Sequence, residues 1–140
     1  MISIPKTEKA LWKQLKKNLP RVHWTRIESG LTGRGIPDLE GCHDGVAVWV
    51  ELKIIQNHLV NLTRNQAAWH QARHDAGGIS FILACDPNAH LIMGPTLFLW
   101  PGEQARPLAS KGFPLVNQCF FLQDGETCWR KLEAALFAPF

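Results

Sequence analysis

Residues 46–55 form an almost continuous apolar run, rich in β-branched side chains, that is interrupted by Glu51 and Lys53. A run of this kind predicts a central strand covered on both faces. Because side chains alternate along a strand, Glu51 and Lys53 are expected on the same face, one pleat apart. The sequence therefore predicts an anion and a cation side by side, at the end of a strand that otherwise belongs to the core.

Asp38 precedes Glu51 by thirteen residues and follows a loop that contains Gly35 and Pro37. Tight glycine-rich loops often bring functional groups to rigid elements. If Asp38 reaches the end of the strand, two carboxylates and the Lys53 ammonium group meet. That combination suits a divalent-metal site with a lysine that handles a charged nucleophile or a phosphate. The structural alternative is a salt bridge between Glu51 and Lys53.

The pattern of apolar segments predicts an α/β protein with a mixed sheet. The expected elements are helices over 6–19, 64–76 and 126–137, strands over 21–28, 37–41, 46–55 and 79–85, a short strand near 90–93 and an edge strand at 120–122. Asp44-Gly45 between two apolar runs is a hairpin signal. The strand–helix–strand unit over 46–85 predicts a parallel pair with a right-handed crossover. A loop-rich region is expected around Pro95, Pro101, Pro107 and Pro114.

The first helix is amphipathic, and Leu11, Trp12, Leu15 and Leu19 share one stripe with Glu8. The opposite side carries Lys6, Lys9, Lys13, Lys16 and Lys17. A carboxylate on the apolar side is costly unless it is paired or binds a metal, but an acid in the first helical turn is also favoured by the helix dipole. Both interpretations of Glu8 stay open on this pattern.

Thr63 and Gln66 have the spacing of a capping box at the start of the second helix. In that motif the Thr63 side chain caps the helix, and the Gln66 side chain reaches back to the amide of the cap residue. This structural role is sufficient to explain Gln66. The same helix is expected to end at Gly77-Gly78.

Four segments follow one another along the chain: Gly-Arg-Gly-Ile-Pro-Asp-Leu at 33–39, Val-Glu-Leu-Lys at 50–53, Leu-Thr-Arg-Asn-Gln-Ala-Ala-Trp at 62–69, and Gly77-Gly78 before the strand at 79–84. In this order and spacing, they resemble the PD-(D/E)XK nuclease superfamily, and within it the VRR-NUC branch and the phage-type Holliday junction resolvases. The resemblance covers roughly residues 23–84. It implies a restriction-endonuclease-like mixed central sheet flanked by helices. At 140 residues the chain is expected to be one domain, 1–140.

The resemblance implies a Mg²⁺- or Mn²⁺-dependent endonuclease that hydrolyses DNA phosphodiesters. Asp38 and Glu51 are the expected metal ligands, with the backbone carbonyl of Leu52 as a further ligand. Glu8 is expected to complete the metal site, either outside the direct ligands or on a second ion. Lys53 is expected to orient or deprotonate the attacking water and to stabilise the transition state.

The resemblance also gives Gln66 a second possible role, in which it lies beside Glu51 and Lys53 and positions water or the scissile phosphate. Expected phosphate contacts near the cut are Arg26 and Arg34, and expected contacts farther away are Lys6, Lys9, Lys13, Lys16, Lys17 and Arg64. Residues 1–34 carry a formal charge of +6 in a chain whose net charge is +3. This basic patch suits a polyanion such as DNA, although a lysine-rich helix face can also be a solvated surface.

The four cysteines show no C-x-x-C pair and no zinc-finger spacing, so four reduced thiols are expected. Metal sites at Cys42-His43 or at His70 and His74 are weaker alternatives. The sequence contains no apolar stretch of membrane-spanning length, and its lysine-rich start lacks a signal-peptide core. A soluble, cytoplasmic protein of a bacterium or a phage-infected host is expected.

The C-terminal part is strongly aromatic, with Phe113, Phe120, Phe121, Trp129, Phe137 and Phe140. Most of these rings are expected in the core, and a surplus would suit a partner subunit. Resolving a four-way junction needs two symmetric cuts, which a C₂ homodimer supplies. The preferred hypothesis is a homodimeric Holliday junction resolvase that acts in DNA recombination. The alternatives are a restriction-like or flap-cutting repair nuclease of the same superfamily, or a non-catalytic DNA-binding module.

Overall fold

A six-stranded sheet organises the residues that the computed structural model describes, which are 3–27, 35–88, 94–111 and 117–138. The strands are β1 (His23–Arg26), β2 (Leu39–His43), β3 (Val46–Ile54), β4 (Ser80–Asp86), β5 (Thr96–Pro101) and β6 (Gln118–Phe121), side by side in that order. The helices are α1 (Glu8–Asn18), α2 (Arg64–Asp75), α3 (Ala105–Lys111) and α4 (Glu126–Phe137). β3 and β4 are parallel and the other neighbouring pairs are antiparallel, which confirms the mixed α/β sheet.

The sheet separates two apolar layers. On one face, α1 and α4 pack on β3 around Leu15, Val50 and Leu132, which are fully buried. On the other face, α2 and α3 form a second core with β4 and β5 around Ile82 and Trp100. Helices on both faces bury β3, as its apolar run predicts.

A tight hairpin joins β2 to β3. Asp44 and Gly45 have φ angles of 51° and 78°. Two consecutive residues with positive φ are the requirement of a type I′ turn, whose twist matches that of the strands. The turn fixes the register, in which Leu39 pairs with Val50. The hairpin predicted at Asp44-Gly45 is therefore confirmed.

Several predicted boundaries are wrong by two residues, among them those of α1 and β2. α1 begins at Glu8 and not at residue 6, because the Thr7 hydroxyl caps the helix by accepting a hydrogen bond from the Ala10 amide at 3.0 Å. β2 spans residues 39–43 and not 37–41, since Pro37 has no N–H to donate to a ladder. The predicted first strand is observed as β1, and its predicted end at Glu28 lies outside the described residues.

The expectation of loops around the prolines is wrong for β5 and α3. Pro95 precedes β5 and Pro101 ends it, while the apolar residues 97–100 between them are buried. Pro107 lies in the first turn of α3. Backbone N–H groups in a first turn have no intrahelical acceptor, so the N–H that proline lacks costs the helix no hydrogen bond. These prolines therefore lie at the ends of a strand or in the first turn of a helix, and not in loops. The strand predicted near 90–93 and the loop at Pro114 lie outside the described residues.

The aromatic C-terminal part is largely core. Phe120, Trp129 and Phe137 are at most 8% exposed, in the layer that α1 and α4 build on the sheet. Phe121 is partly buried, and Phe113 and Phe140 lie outside the described residues. The prediction that most of these rings are core holds for the described ones. In the described part of the chain, no helix is both long and apolar enough to cross a bilayer.

Candidate active site

The β2–β3 hairpin brings Asp38 and Glu51 together. Because Leu39 pairs with Val50, the residue before Leu39 lies beside the residue after Val50. The Asp38 carboxylate accepts a hydrogen bond from the Leu52 amide at 2.8 Å, which holds its side chain against β3. Two carboxyl groups that are distant in sequence thus meet at one point of the sheet.

The two carboxyl groups interact strongly. Glu51 is 2% exposed. Burial and the neighbouring Asp38 carboxyl group raise the pKa of Glu51 to about 10, although the Lys53 charge acts in the opposite direction. Two carboxylates in contact cannot both ionise without a compensating cation. At neutral pH the metal-free pair therefore holds one proton.

The two oxygens of Glu51 have different environments. Oε2 accepts a hydrogen bond from the Gln66 Nε2 at 3.3 Å, whereas Oε1 is buried and has no hydrogen-bond partner. A buried oxygen without a partner is costly. A divalent cation offsets that cost, because it replaces the shared proton and takes carboxylate oxygens as ligands.

These donors fit Mg²⁺ or Mn²⁺, which prefer oxygen ligands and are commonly held by one or two carboxylates with retained waters. Among the described residues, no three His, Cys, Asp or Glu side chains form a group that would hold a metal ion without other ligands. The Asp38–Glu51 pair would thus need a backbone oxygen, such as the predicted Leu52 carbonyl, and water. Direct ligation by Glu8 stays a prediction.

Lys53 follows Glu51 on the same face of β3 and is 8% exposed. Within the described residues, its ammonium group forms no direct ion pair with a carboxylate. A nearly buried cation without a contacting anion is expensive to maintain. Lys53 is therefore better explained by a negative group that arrives from outside than by a structural salt bridge.

Glu8 lies at the margin of this site, in the first turn of α1. Together with Lys6 and Lys53 it lines a pocket of about 310 Å³. Although Glu8 is exposed overall, partial desolvation raises the pKa of its carboxyl group, the Lys53 charge lowers it, and the Asp38 charge raises it. Glu8 is therefore electrostatically coupled to the pair, in addition to its favourable position at the helix start.

Gln66 caps the start of α2 and also contacts Glu51, while its role in positioning water or the scissile phosphate stays a prediction. Its Oε1 accepts a hydrogen bond from the Thr63 amide at 2.9 Å, and the Thr63 hydroxyl accepts one from the Gln66 amide at 3.1 Å, so the capping box is confirmed. Its Nε2 donates to Glu51. One side-chain amide therefore ties the start of α2 to the carboxylate pair.

His70 lies near the site, and the sequence pattern offered it only as a weaker metal ligand together with His74. It is fully buried, and its Nδ1 lies 2.7 Å from the Ser80 hydroxyl, while its Nε2 has no partner. Burial lowers the pKa of His70 to about 4, and the Asp38 charge opposes that shift. His70 is therefore neutral near pH 7. His74 pairs instead with Glu103 at 3.3 Å, so the two histidines do not share a ligand site.

The predicted DNA-contacting residues lie in several places. Arg26, Arg64 and the lysines of the first helical segment are exposed, and Arg34 lies outside the described residues. Lys6 lines the pocket that contains Lys53. Lys17 lines a different pocket with Arg21 and Arg130, away from the carboxylate pair. The lysines of the α1 segment therefore form a basic surface that begins at the site and continues away from it along the helix.

Comparisons with known proteins support the fold. No protein-family model matches the chain, and no curated protein is significantly similar to it. Among solved structures, the chain is similar to Hjc, a Holliday junction resolvase from the archaeal hyperthermophile Archaeoglobus fulgidus. The TM-score is 0.50, the sequences are 13% identical, and the alignment covers 89% of each chain. At this identity the likeness shows a shared fold, which agrees with the predicted nuclease-like sheet flanked by helices.

Proposed function

We propose that this protein is a divalent-metal-dependent DNA endonuclease of the PD-(D/E)XK type, formed by one domain over residues 1–140. The observation that carries the proposal is the Asp38–Glu51 pair next to a nearly buried Lys53. Glu51 is buried, its pKa is raised to about 10, and its Oε1 lacks a hydrogen-bond partner. Such a cluster is costly for stability, and strongly perturbed carboxyl pairs concentrate at functional sites. The VRR-NUC branch and a phage origin rest on the sequence motifs.

A divalent ion bound by Asp38 and Glu51 would acidify a bound water and neutralise charge on the phosphate oxygens. The chain supplies the remaining parts. The Leu52 amide fixes Asp38, and the Gln66 amide fixes Glu51, so that both carboxylates are oriented before the ion arrives. Lys53 contributes a positive charge that is strengthened by its low-dielectric surroundings, and this charge stabilises the transition state.

The experiment is a cleavage assay on labelled DNA with Mg²⁺ or with EDTA. Wild type is expected to cleave only with the metal ion. Asp38→Asn, Glu51→Gln and Lys53→Ala are each expected to lose about a hundredfold or more of the rate. Asp75→Asn, which changes an exposed carboxylate at the end of α2, serves as the matched control and is expected to retain activity. Cleavage in EDTA, or a fully active Glu51→Gln variant, would refute the proposal.

We further propose a branched DNA substrate and a homodimeric enzyme. The likeness to a Holliday junction resolvase supports the substrate, and the need for two symmetric cuts supports the dimer. We propose the aromatic C-terminal part as the dimer surface. Since Phe120, Trp129 and Phe137 are core residues, the partly buried Phe121 on the edge strand β6 is the described ring that can contact a partner. Light scattering should give a dimer, and a four-way junction should be cut faster than a linear duplex of the same sequence. A monomer, or equal cutting of both substrates, would exclude the resolvase and leave the nuclease.

A further inference from the structure

Arg73 lies over two tryptophan rings beside the candidate active site. Its guanidinium carbon is 5.2 Å from the centroid of the Trp49 ring and 4.6 Å from that of the Trp69 ring. The two rings are 5.4 Å apart and are inclined at 56° to each other. All three side chains are partly exposed. The rings thus orient the cation at a surface without burying it.

Within the described part of the chain, the Arg73 guanidinium has no carboxylate partner. Glu40, which pairs with Trp49 across β2 and β3, forms no ion pair with it. Arg21 and Arg130, in contrast, both bind the Glu133 carboxylate. An arginine stacked on aromatic rings keeps the N–H groups along its edge for an external acceptor, and a phosphate is the anion that this planar fork binds in bidentate fashion.

The cluster is connected to the carboxylate pair through two adjacent contacts between β3 and α2. Glu51 contacts Gln66, and Trp49 contacts Trp69. Trp49 and Glu51 are two residues apart on the same strand face, which separates them by about 7 Å. Trp69 follows Gln66 by three residues, on the same side of the helix. Arg73 lies seven residues beyond Gln66 on α2, about 10 Å along the helix axis. A DNA strand that rises about 3.4 Å per nucleotide along its axis would cover a separation of about 7 to 10 Å with about two to three nucleotides.

Among the described residues, none covers the side chains of β1 and β2 next to the cluster completely. β1 and β2 carry exposed or partly exposed side chains on the face of the sheet to which Trp49 belongs, namely His23, Thr25, Glu40, Cys42 and Ala47. This half of the sheet face therefore leaves space for a nucleic-acid strand that runs from Arg73 towards Asp38 and Glu51.

We propose that Arg73, held by Trp49 and Trp69, binds a backbone phosphate of the DNA strand that enters the active site, about two to three nucleotides from the scissile bond. This inference rests on the proposed function, and it adds a residue that the basic pattern of the sequence did not predict. An arginine in the last turn of a helix is ordinarily explained by the helix dipole. The stacking on two rings and the lack of a carboxylate are what distinguish Arg73 from that case.

The test measures DNA binding by fluorescence anisotropy in EDTA, across a series of salt concentrations, for wild type and for Arg73→Gln. Loss of one phosphate contact is expected to weaken binding of junction and duplex alike by roughly tenfold, and to make the slope of log affinity against log salt shallower by about one. Lys131→Gln removes an exposed positive charge from α4, on the opposite layer, and should leave the slope unchanged. Arg73→Lys should restore the slope but only part of the affinity, since it keeps the charge and loses the fork.

A packing role predicts a different result. If Arg73 only packs α2 against the sheet, Arg73→Gln lowers the melting temperature. The DNA affinity of the folded protein and its salt slope then stay unchanged, and this result would overturn the inference. If wild type cleaves DNA while the Arg73→Gln slope is unchanged, the inference fails and the nuclease stands. If wild type binds no DNA, both fail. If it binds DNA through Arg73 but does not cleave, the phosphate site stands and the nuclease proposal fails.

Discussion

Binding of a divalent ion by Asp38 and Glu51 should release a proton, because the metal-free pair holds one. With a pKa of about 10, Glu51 would be deprotonated at pH 7.5 in only about one molecule in 300. Removing that proton costs the metal ion about 3 kcal/mol of its binding free energy at this pH. The affinity for Mn²⁺ is therefore expected to rise by up to about tenfold per pH unit between pH 6 and pH 9.

The assay is isothermal titration of Mn²⁺ in two buffers that differ in ionisation enthalpy. The difference in apparent heat gives the number of released protons, which should be close to one per bound ion. Glu51→Gln should abolish the buffer dependence and weaken binding. An affinity that is flat with pH, together with heats that do not depend on the buffer, would refute the shared proton.

The same pair determines how stability depends on pH. Because the folded-state pKa of Glu51 lies above its ordinary value of 4.5, the stabilising contribution of its proton is complete below about pH 4.5. That contribution is lost as the pH rises towards about 10. Melting temperatures measured from pH 5 to pH 9 should therefore fall for the metal-free protein, and added Mn²⁺ should remove most of this fall.

Three further predictions concern other residues. The pKa of His70 is about 4 in the folded protein, below its ordinary value of 6.5, so stability should decrease by up to about 3 kcal/mol as the pH falls from 6.5 to 4. Denaturant titrations at several pH values check this, and an equal loss in His70→Gln would contradict it. Thr63→Val removes the cap oxygen and should lower the free energy of unfolding by about 1 kcal/mol, with cleavage retained. Gln66→Ala should lower stability and, in addition, slow cleavage by about tenfold or more. Equal cleavage by both variants would assign Gln66 to the cap alone. Charge reversal of Lys13 and Lys16 should flatten the salt dependence of DNA binding, and an unchanged slope would mean that these lysines are only solvated.

The contacts that follow from local rules were predictable from the sequence. Strand alternation places Glu51 and Lys53 on one face, and the type I′ turn at Asp44-Gly45 sets the register that brings Asp38 to Glu51. The fold class follows from the same apolar pattern. These features depend on residues that are close in sequence or linked by one turn, so no knowledge of helix packing was needed.

The features that depend on how α2 packs on the sheet were not predictable in the same way. The bond between Gln66 and Glu51, the contact of His70 with Ser80, and the position of Arg73 over two rings all depend on that packing. The capping box was sufficient to explain Gln66 without reference to the site, and only the family resemblance placed Gln66 beside Glu51. Arg73 carried no prediction, because a basic residue in the last turn of a helix is ordinary. β5 was missed for a different reason, because the prolines at its ends were interpreted as signs of a loop.

A crystal structure of the protein soaked with Mn²⁺, in which anomalous scattering locates the ion, tests the Asp38–Glu51 metal site most directly. We expect a Mn²⁺ ion that is bound by carboxylate oxygens of both Asp38 and Glu51, with Glu51 Oε1 among its ligands. The same soak of Glu51→Gln should show no ion, or a weakly occupied one, at that position. An ion bound elsewhere, with Asp38 and Glu51 still sharing a proton, would contradict the account.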